Sequence, residues 1–189
     1  MVGGIATYEL LSNIAGISPI VAIVVAVAVC TLLGVTIEKV AYKPLRKASS
    51  LAVLITAIGV SYFLQNVALL AFGSENKSYT IAALDFKWQI TETFAVQGST
   101  IVNVLFTVVI MVSLTLFIKY SKHGKAMVAV SSDKDAAQLM GINVNGTISL
   151  TFAIGSALAG IAGFLFLGTY GQIGAYSGSM PGIKAFTAA

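Results

Sequence analysis

The sequence predicts an all-α protein, a polytopic transmembrane helical bundle with a short helix in one cytoplasmic loop. Three observations carry that reading. Hydrophobic residues fill 57% of the 189 positions and charged residues only 10%, against about 25% charged in soluble domains. The mean hydropathy is +0.92. The few charges are also segregated. No Asp, Glu, Lys or Arg falls between Glu9 and Glu38, Lys47 and Glu75, Glu92 and Lys119, or Asp135 and Lys184. A soluble fold could not cover its surface with so few charges, so the surrounding solvent is lipid.

A spanning helix needs about 20 predominantly apolar residues. The charge-free stretches therefore predict spans near 19–38, 51–72, 100–119 and 148–169. Backbone facing lipid must satisfy its own hydrogen bonds, which makes these runs helices. The alternation of a barrel strand is absent. The segment Met1 to Ile17 is apolar but holds Glu9 and Asn13, and without a basic start it is no signal peptide. It reads as the trailing part of a helix. The small apolar residues Ala185 to Ala189 stop without a polar tail. Both ends are expected to be truncated, leaving one transmembrane domain over 1–189.

Lys and Arg mark the cytoplasmic side of short loops. Segment 38–50 holds four of them (Lys39, Lys43, Arg46, Lys47), and segment 119–147 another four (Lys119, Lys122, Lys125, Lys134). Segment 73–99 holds two, Lys77 and Lys87. The first and last segments are expected inside and the middle one outside. The net charge of +4 is thus a matter of topology, with no nucleic-acid partner implied.

The loop 120–147 is long enough to fold something of its own. Ser132, followed three residues later by Asp135, resembles a capping box with Asp in place of Glu or Gln. Asp133 and Asp135 suit the positive end of a helix dipole. Ala136, Ala137, Gln138, Leu139 and Met140 are helix formers, and Gly141 is a natural stop. A helix of two or three turns is expected, either lying on the bilayer or docking a cytoplasmic partner. Its small apolar content favours docking.

The last span repeats small residues every four positions, Gly155, Ala159 and Gly163 on one line and Ser156 and Gly160 on another. Such faces let helices approach closely. Gln65 and Asn66 lie within the second span, where amides bond a neighbouring helix or line a solute path. The glycine-rich stretch Tyr170 to Gly178 cannot continue the helix, and at membrane depth it would have to be buried or line a cavity. Trp88 and Tyr79 read as interface anchors. Asn76-Lys77-Ser78 has the form of a glycosylation acceptor, without meaning in a bacterial membrane. Cys30, the single cysteine, reads as a small buried hydrophobe, and His123 as part of a basic patch with Lys122 and Lys125.

The sequence contains no Gly-rich loop ending in Gly-Lys-Ser/Thr, no HExxH, no Gly-x-Ser-x-Gly and no carboxylate pair within a span. The expectation is a protein that is not an enzyme and holds no metal or cofactor. Intramembrane acids mark ion-coupled transport. A transporter lacking both these and an ATPase borrows an ATPase.

The string Asp135-Ala136-Ala137-Gln138-Leu139-Met140-Gly141 resembles the EAA-xxx-Gly loop of ABC importer permeases. Glu38-Lys39-Val40-Ala41-Tyr42-Lys43-Pro44-Leu45-Arg46 resembles the first inside loop of the branched-chain amino-acid permeases. Leu54 to Ser61 with Phe63 to Asn66, Met140 to Asn143, and Gly182 to Ala189 resemble further family segments in order. The likeness covers most of the chain, least before residue 19 and within 73–99. A family proline after Gly174 is Ala175 here.

The resemblance implies a permease subunit of the cell inner membrane. Such a subunit pairs with a second permease, binds cytoplasmic ABC ATPases that carry the ATP, and receives its solute from an external binding protein. It implies an ATPase-coupling loop over 129–142, with Asp133, Asp135, Ala136, Ala137, Leu139 and Gly141. Gln65, Asn66, Gly155, Gly160 and Gly163 are expected in the pathway or in helix packing. The family also includes permeases for urea and short amides. A self-sufficient channel or carrier, or a membrane scaffold, are the other readings.

Overall fold

The computed structural model describes residues 2–13, 19–47, 50–75, 77–78, 87–91 and 94–188. Asn76 and Tyr79 lie outside them. Among the described residues, four helices are long and apolar enough to cross a membrane. They are α2 (Pro19–Ile37), α3 (Ser50–Phe72), α4 (Gly98–Tyr120) and α7 (Val144–Tyr170). Shorter helices are α1 (Val2–Asn13), α5 (Lys122–Ser132), α6 (Lys134–Leu139) and α8 (Ser179–Ala188). Two-residue strands β1 (Lys77–Ser78) and β4 (Gln172–Ile173) pair antiparallel, as do β2 (Lys87–Thr91) and β3 (Phe94–Gln97). The expected all-α bundle with a short loop helix is what the chain forms, with these small ladders added.

The chain packs as two compact units, one of Met1–Ile81 with Ser156–Ala189 and the other of Ala82–Gly155. In the first, α2 buries a narrow stripe of small residues, Ala22, Ala26 and Cys30, spaced four apart. Four-residue spacing keeps them on one helix face. Its other faces leave Ile20, Val24 and Leu32 exposed, as a lipid-facing surface does. Gly160 of α7 lies against this stripe, where an added Cβ would sit 3.0 Å from the Val27 Cα. Gly3 and Gly4 of α1 cross Gly160 and Gly163 so closely that a Cβ on Gly163 would come 2.6 Å from the Gly4 nitrogen. Close backbone approach of this kind is how helices associate without a hydrophobic drive between them. The core of the unit is Ile5, Ala68, Leu167, Ile173 and Ala175.

Several threonine hydroxyls within the helices are satisfied locally. Thr7, fully buried, donates to the Gly3 carbonyl at 2.7 Å, and Thr31, Thr56 and Thr115 donate likewise one turn back. Beyond Ile37 the α2 helix widens into one π turn, Glu38–Tyr42, closed by Lys43 N–H donating to the Glu38 carbonyl at 2.8 Å. Glu38 is fully buried there.

In the second unit, α5 turns directly off α4. Ser121 stops α4 and caps α5, its hydroxyl accepting from the His123 N–H at 3.2 Å. Gly124 makes the corner possible, since a Cβ there would lie 2.6 Å from the Phe117 carbonyl oxygen. Helix α5 takes in the Lys122, His123 and Lys125 patch. The fourth span begins at Val144, four residues before its expected start, because Asn143 caps it. Its Oδ1 accepts from the Gly146 N–H at 3.0 Å, so polar residues form a first helical turn.

Candidate functional site

Two places in the fold have the makings of a functional site, one in each unit. The first is a cleft of about 300 Å³ between α1, α2, α3 and α7. Its wall is largely apolar and glycine-lined, with Cys30, Leu33, Gly34 and Ile37 following one face of α2 toward Glu38. The Ser61 hydroxyl, the Gln65 amide and the Ser156 hydroxyl supply polar groups, and no charged side chain is among the described lining residues. Gly178 reaches the same cleft, so the chain beyond α7 turns back into the unit. Ile173, Gly174 and Ala175 are buried on the way. The middle of the glycine-rich stretch is therefore protein-covered and Gly178 borders a cavity, as irregular backbone at membrane depth must. Such a space suits a small solute with an apolar body and uncharged hydrogen-bonding partners.

The amides of the second span part company. Gln65 lines the cleft. Asn66 points away, exposed, and its Nδ2 donates to the Tyr62 carbonyl of its own helix at 2.8 Å. The glycines separate as well. Gly160 and Gly163 sit in the helix crossing, whereas a Cβ on Gly155 would meet nothing within 4 Å.

The second place is α6. Its N-cap is Asp133, not Ser132 as the sequence pattern suggested. The Asp133 carboxylate accepts from the N–H groups of Asp135 and Ala136 at 2.9 and 3.1 Å. Ser132 instead closes α5, donating to the Val128 carbonyl at 3.2 Å. The reason is steric order. The α5 helix runs through Ser132, and only the next residue takes the extended conformation a cap requires, φ −152° and ψ 116°. The helix is correspondingly shorter than two turns. Asp135 lies in its first turn and Ala137 is its buried anchor. At the far end Gly141, at φ +82°, donates to the Gln138 carbonyl at 3.0 Å, and Ile142 donates to Ala137 at 3.1 Å. That pair of bonds is a Schellman stop, which needs a residue free to adopt the left-handed region. Between the two stops, Leu139 and Met140 stand 89% and 83% exposed. A short helix fixed at both ends with an apolar tip in solvent is suited to insert into a partner's groove.

An ion pair that sequence reading did not foresee joins Glu9 of α1 to Lys77 of β1. The ammonium lies 5.1 Å from the Tyr8 ring centre and 5.2 Å from that of Phe72. The 68 positions between the two charges hide the pair from any local pattern.

A family profile described as "Branched-chain amino acid transport system / permease component" matches residues 1–189. The chain belongs to this permease family. It is 41% identical over 168 residues to the high-affinity branched-chain amino acid transport system permease protein LivH of Escherichia coli K12, covering 87% of the chain and 54% of that protein. The permease protein BraD of Pseudomonas aeruginosa is 41% identical over 167 residues, with the same coverage. A probable LivH of Methanocaldococcus jannaschii is 28% identical over 159 residues, covering 79% of the chain and 49% of its own length. The chain spans about half the length of the relatives it matches. No solved structure matches it. Membership in a transport-permease family, with four spanning-length helices among the described residues, makes this a multi-pass membrane protein.

Proposed function

We propose that the chain is part of a permease subunit of an ATP-driven importer for branched-chain amino acids. The loops carrying Lys39 to Lys47 and Lys119 to Lys134 face the cytoplasm, and the loop carrying Lys77 faces outward. The membrane is the cell inner membrane. The permease pairs with a second permease subunit and takes its solute from an external binding protein. ATP is held by separate ATPases, which seat the tip of α6.

The observation that carries the reading is α6 itself, stopped at Asp133 and Gly141 and offering Leu139 and Met140 to a partner. ATP-driven movement of the ATPases, passed to α6, biases the spans between outward and inward access. The solute is held in the cleft bordered by Gln65, Ser61 and Ser156. The uncharged lining also favours a second reading, a neutral solute such as urea or a short amide.

The test is uptake by vesicles carrying the complete permease. Leucine uptake is expected to need ATP, the ATPase and the external binding protein together. Uptake that persists without the ATPase refutes the importer reading in favour of a channel or carrier. Uptake of urea or amides in place of leucine selects the second reading.

A further inference from the structure

Three elements of the first unit pass through the same sequence of environments. On α1, Gly3 borders the cleft, Ile5 belongs to the apolar core, and Tyr8 borders a second, polar pocket. On α3 the order repeats, with Gln65 at the cleft, Ala68 in the core and Phe72 at the polar pocket. On α7, Ser156 and Ala159 border the cleft and Leu167 lies in the core. The core is thus a seal between the cleft and a pocket of about 610 Å³ at the Lys77 end. Ile173 and Ala175 complete the seal, 1% and 7% exposed.

Those two residues come from the stretch that follows α7. Its strand β4 is held by β1 through two rungs only, and Ile173 of the seal is the rung partner of Lys77. Both strands hang from helix ends by a left-handed glycine. Gly73, at φ +84°, stops α3, its N–H donating to Leu69, and Gly171, at φ +63°, stops α7, its N–H donating to Leu167. Lys77 therefore joins three elements. Its backbone pairs with the seal, its strand continues α3, and its ammonium reaches Glu9 of α1. A ladder of two rungs is marginal by itself. The ion pair, partly sheltered from water, ties it down.

We propose that Glu9 and Lys77 latch an outward seal made by Ile5, Ala68, Leu167, Ile173 and Ala175. Opening the pair frees β4 to swing on Gly171 and uncovers the cleft from outside. Glu9 and Lys77 are positioning residues, acting on the solute path through the strand. The proposal rests on the transport reading for its sidedness.

Cys30 lines the cleft below the seal and is the one cysteine of the sequence, so it reports on access. The experiment uses the complete permease in sealed vesicles, with Cys30 as its only thiol. A membrane-impermeant, positively charged methanethiosulfonate is applied to the outer face, then to the inner face of inverted vesicles. Outer labelling is expected to be slow in the native protein and at least tenfold faster in Glu9→Gln and in Lys77→Gln. The charge-swapped pair, Glu9→Lys with Lys77→Glu, restores the slow rate. Inner labelling stays unchanged throughout. Native-like outer rates in both single variants overturn the latch, as does a swap that labels as fast as the singles. Equal acceleration from both faces also overturns it, because the pair then holds the fold and gates nothing. Labelling needs neither solute nor ATP. A failed uptake assay leaves this result readable, and an unchanged labelling rate leaves the importer reading standing.

Discussion

The glycines of α7 allow a graded test of the helix crossing. Gly155 and Gly163 share one line of a small-residue pattern and Gly160 lies on the other, yet their surroundings do not follow those lines. A Cβ at Gly163 would lie 2.6 Å from the Gly4 nitrogen and 3.0 Å from the Gly3 carbonyl carbon. The first is roughly 0.9 Å inside the optimal separation of about 3.5 Å. Both neighbours are backbone, so the whole of α1 must recede. Overpacking of this kind costs about 1–3 kcal/mol. Replacing a helical glycine by alanine returns up to about 1 kcal/mol in propensity, so Gly163→Ala is a net loss. At Gly160 the approach is 3.0 Å to the Val27 Cα and 3.2 Å to the Ala26 oxygen, a milder clash that the propensity gain offsets in part. At Gly155 nothing lies within 4 Å, and Gly155→Ala should be neutral or stabilising. The assay is equilibrium unfolding of the purified complete permease by SDS titration in mixed micelles, followed by circular dichroism. The expected order of stability is Gly155→Ala, then Gly160→Ala, then Gly163→Ala. A Gly155→Ala variant as destabilised as Gly163→Ala would refute the argument that this crossing, and not the sequence repeat, sets the cost.

Two predictions concern α6. Asp133→Ala removes the acceptor for two N–H groups, a loss of about 1 kcal/mol, and should cut co-purification of the ATPase several-fold, while Asp133→Asn keeps it near native. Leu139→Glu, changed at an exposed tip, should abolish that co-purification and leave unfolding in SDS unaltered; retained binding would remove the tip from the docking surface.

The spans were legible because lipid imposes length and apolarity at once, and neither needs a distant partner to be recognised. Gly141 was legible for a similar reason, since a helix stop is written in one residue. Ser132 and Asp133 show where such reading runs out. Both are capping residues, and only the end of α5, where Asp133 takes the extended conformation, decides between them. Helix α5 itself was hidden because Lys122, His123 and Lys125 describe a charged patch and a helix equally well. The burial of Ile173 to Ala175 depends on β1 and on Gly4, far away in sequence. The difference between Gln65 and Asn66, neighbours in one apolar helix, depends on the distant residues that wall the cleft with Gln65. Within α7, the repeat of small residues was visible, but which of them meet another backbone was not.

The crossing of Gly4 with Gly163 also dictates an order of assembly. The two glycines are about 160 positions apart, so at roughly 5–20 residues per second of synthesis the contact waits some 10–30 s after α1 leaves the ribosome. Glu9 and Lys77 are separated by only 68 positions and can meet while α7 is still unmade. During translation the charge pair can thus form before the glycine contact, and the packing of Gly3 against Cys30 of α2, nearer still in sequence, can form before either.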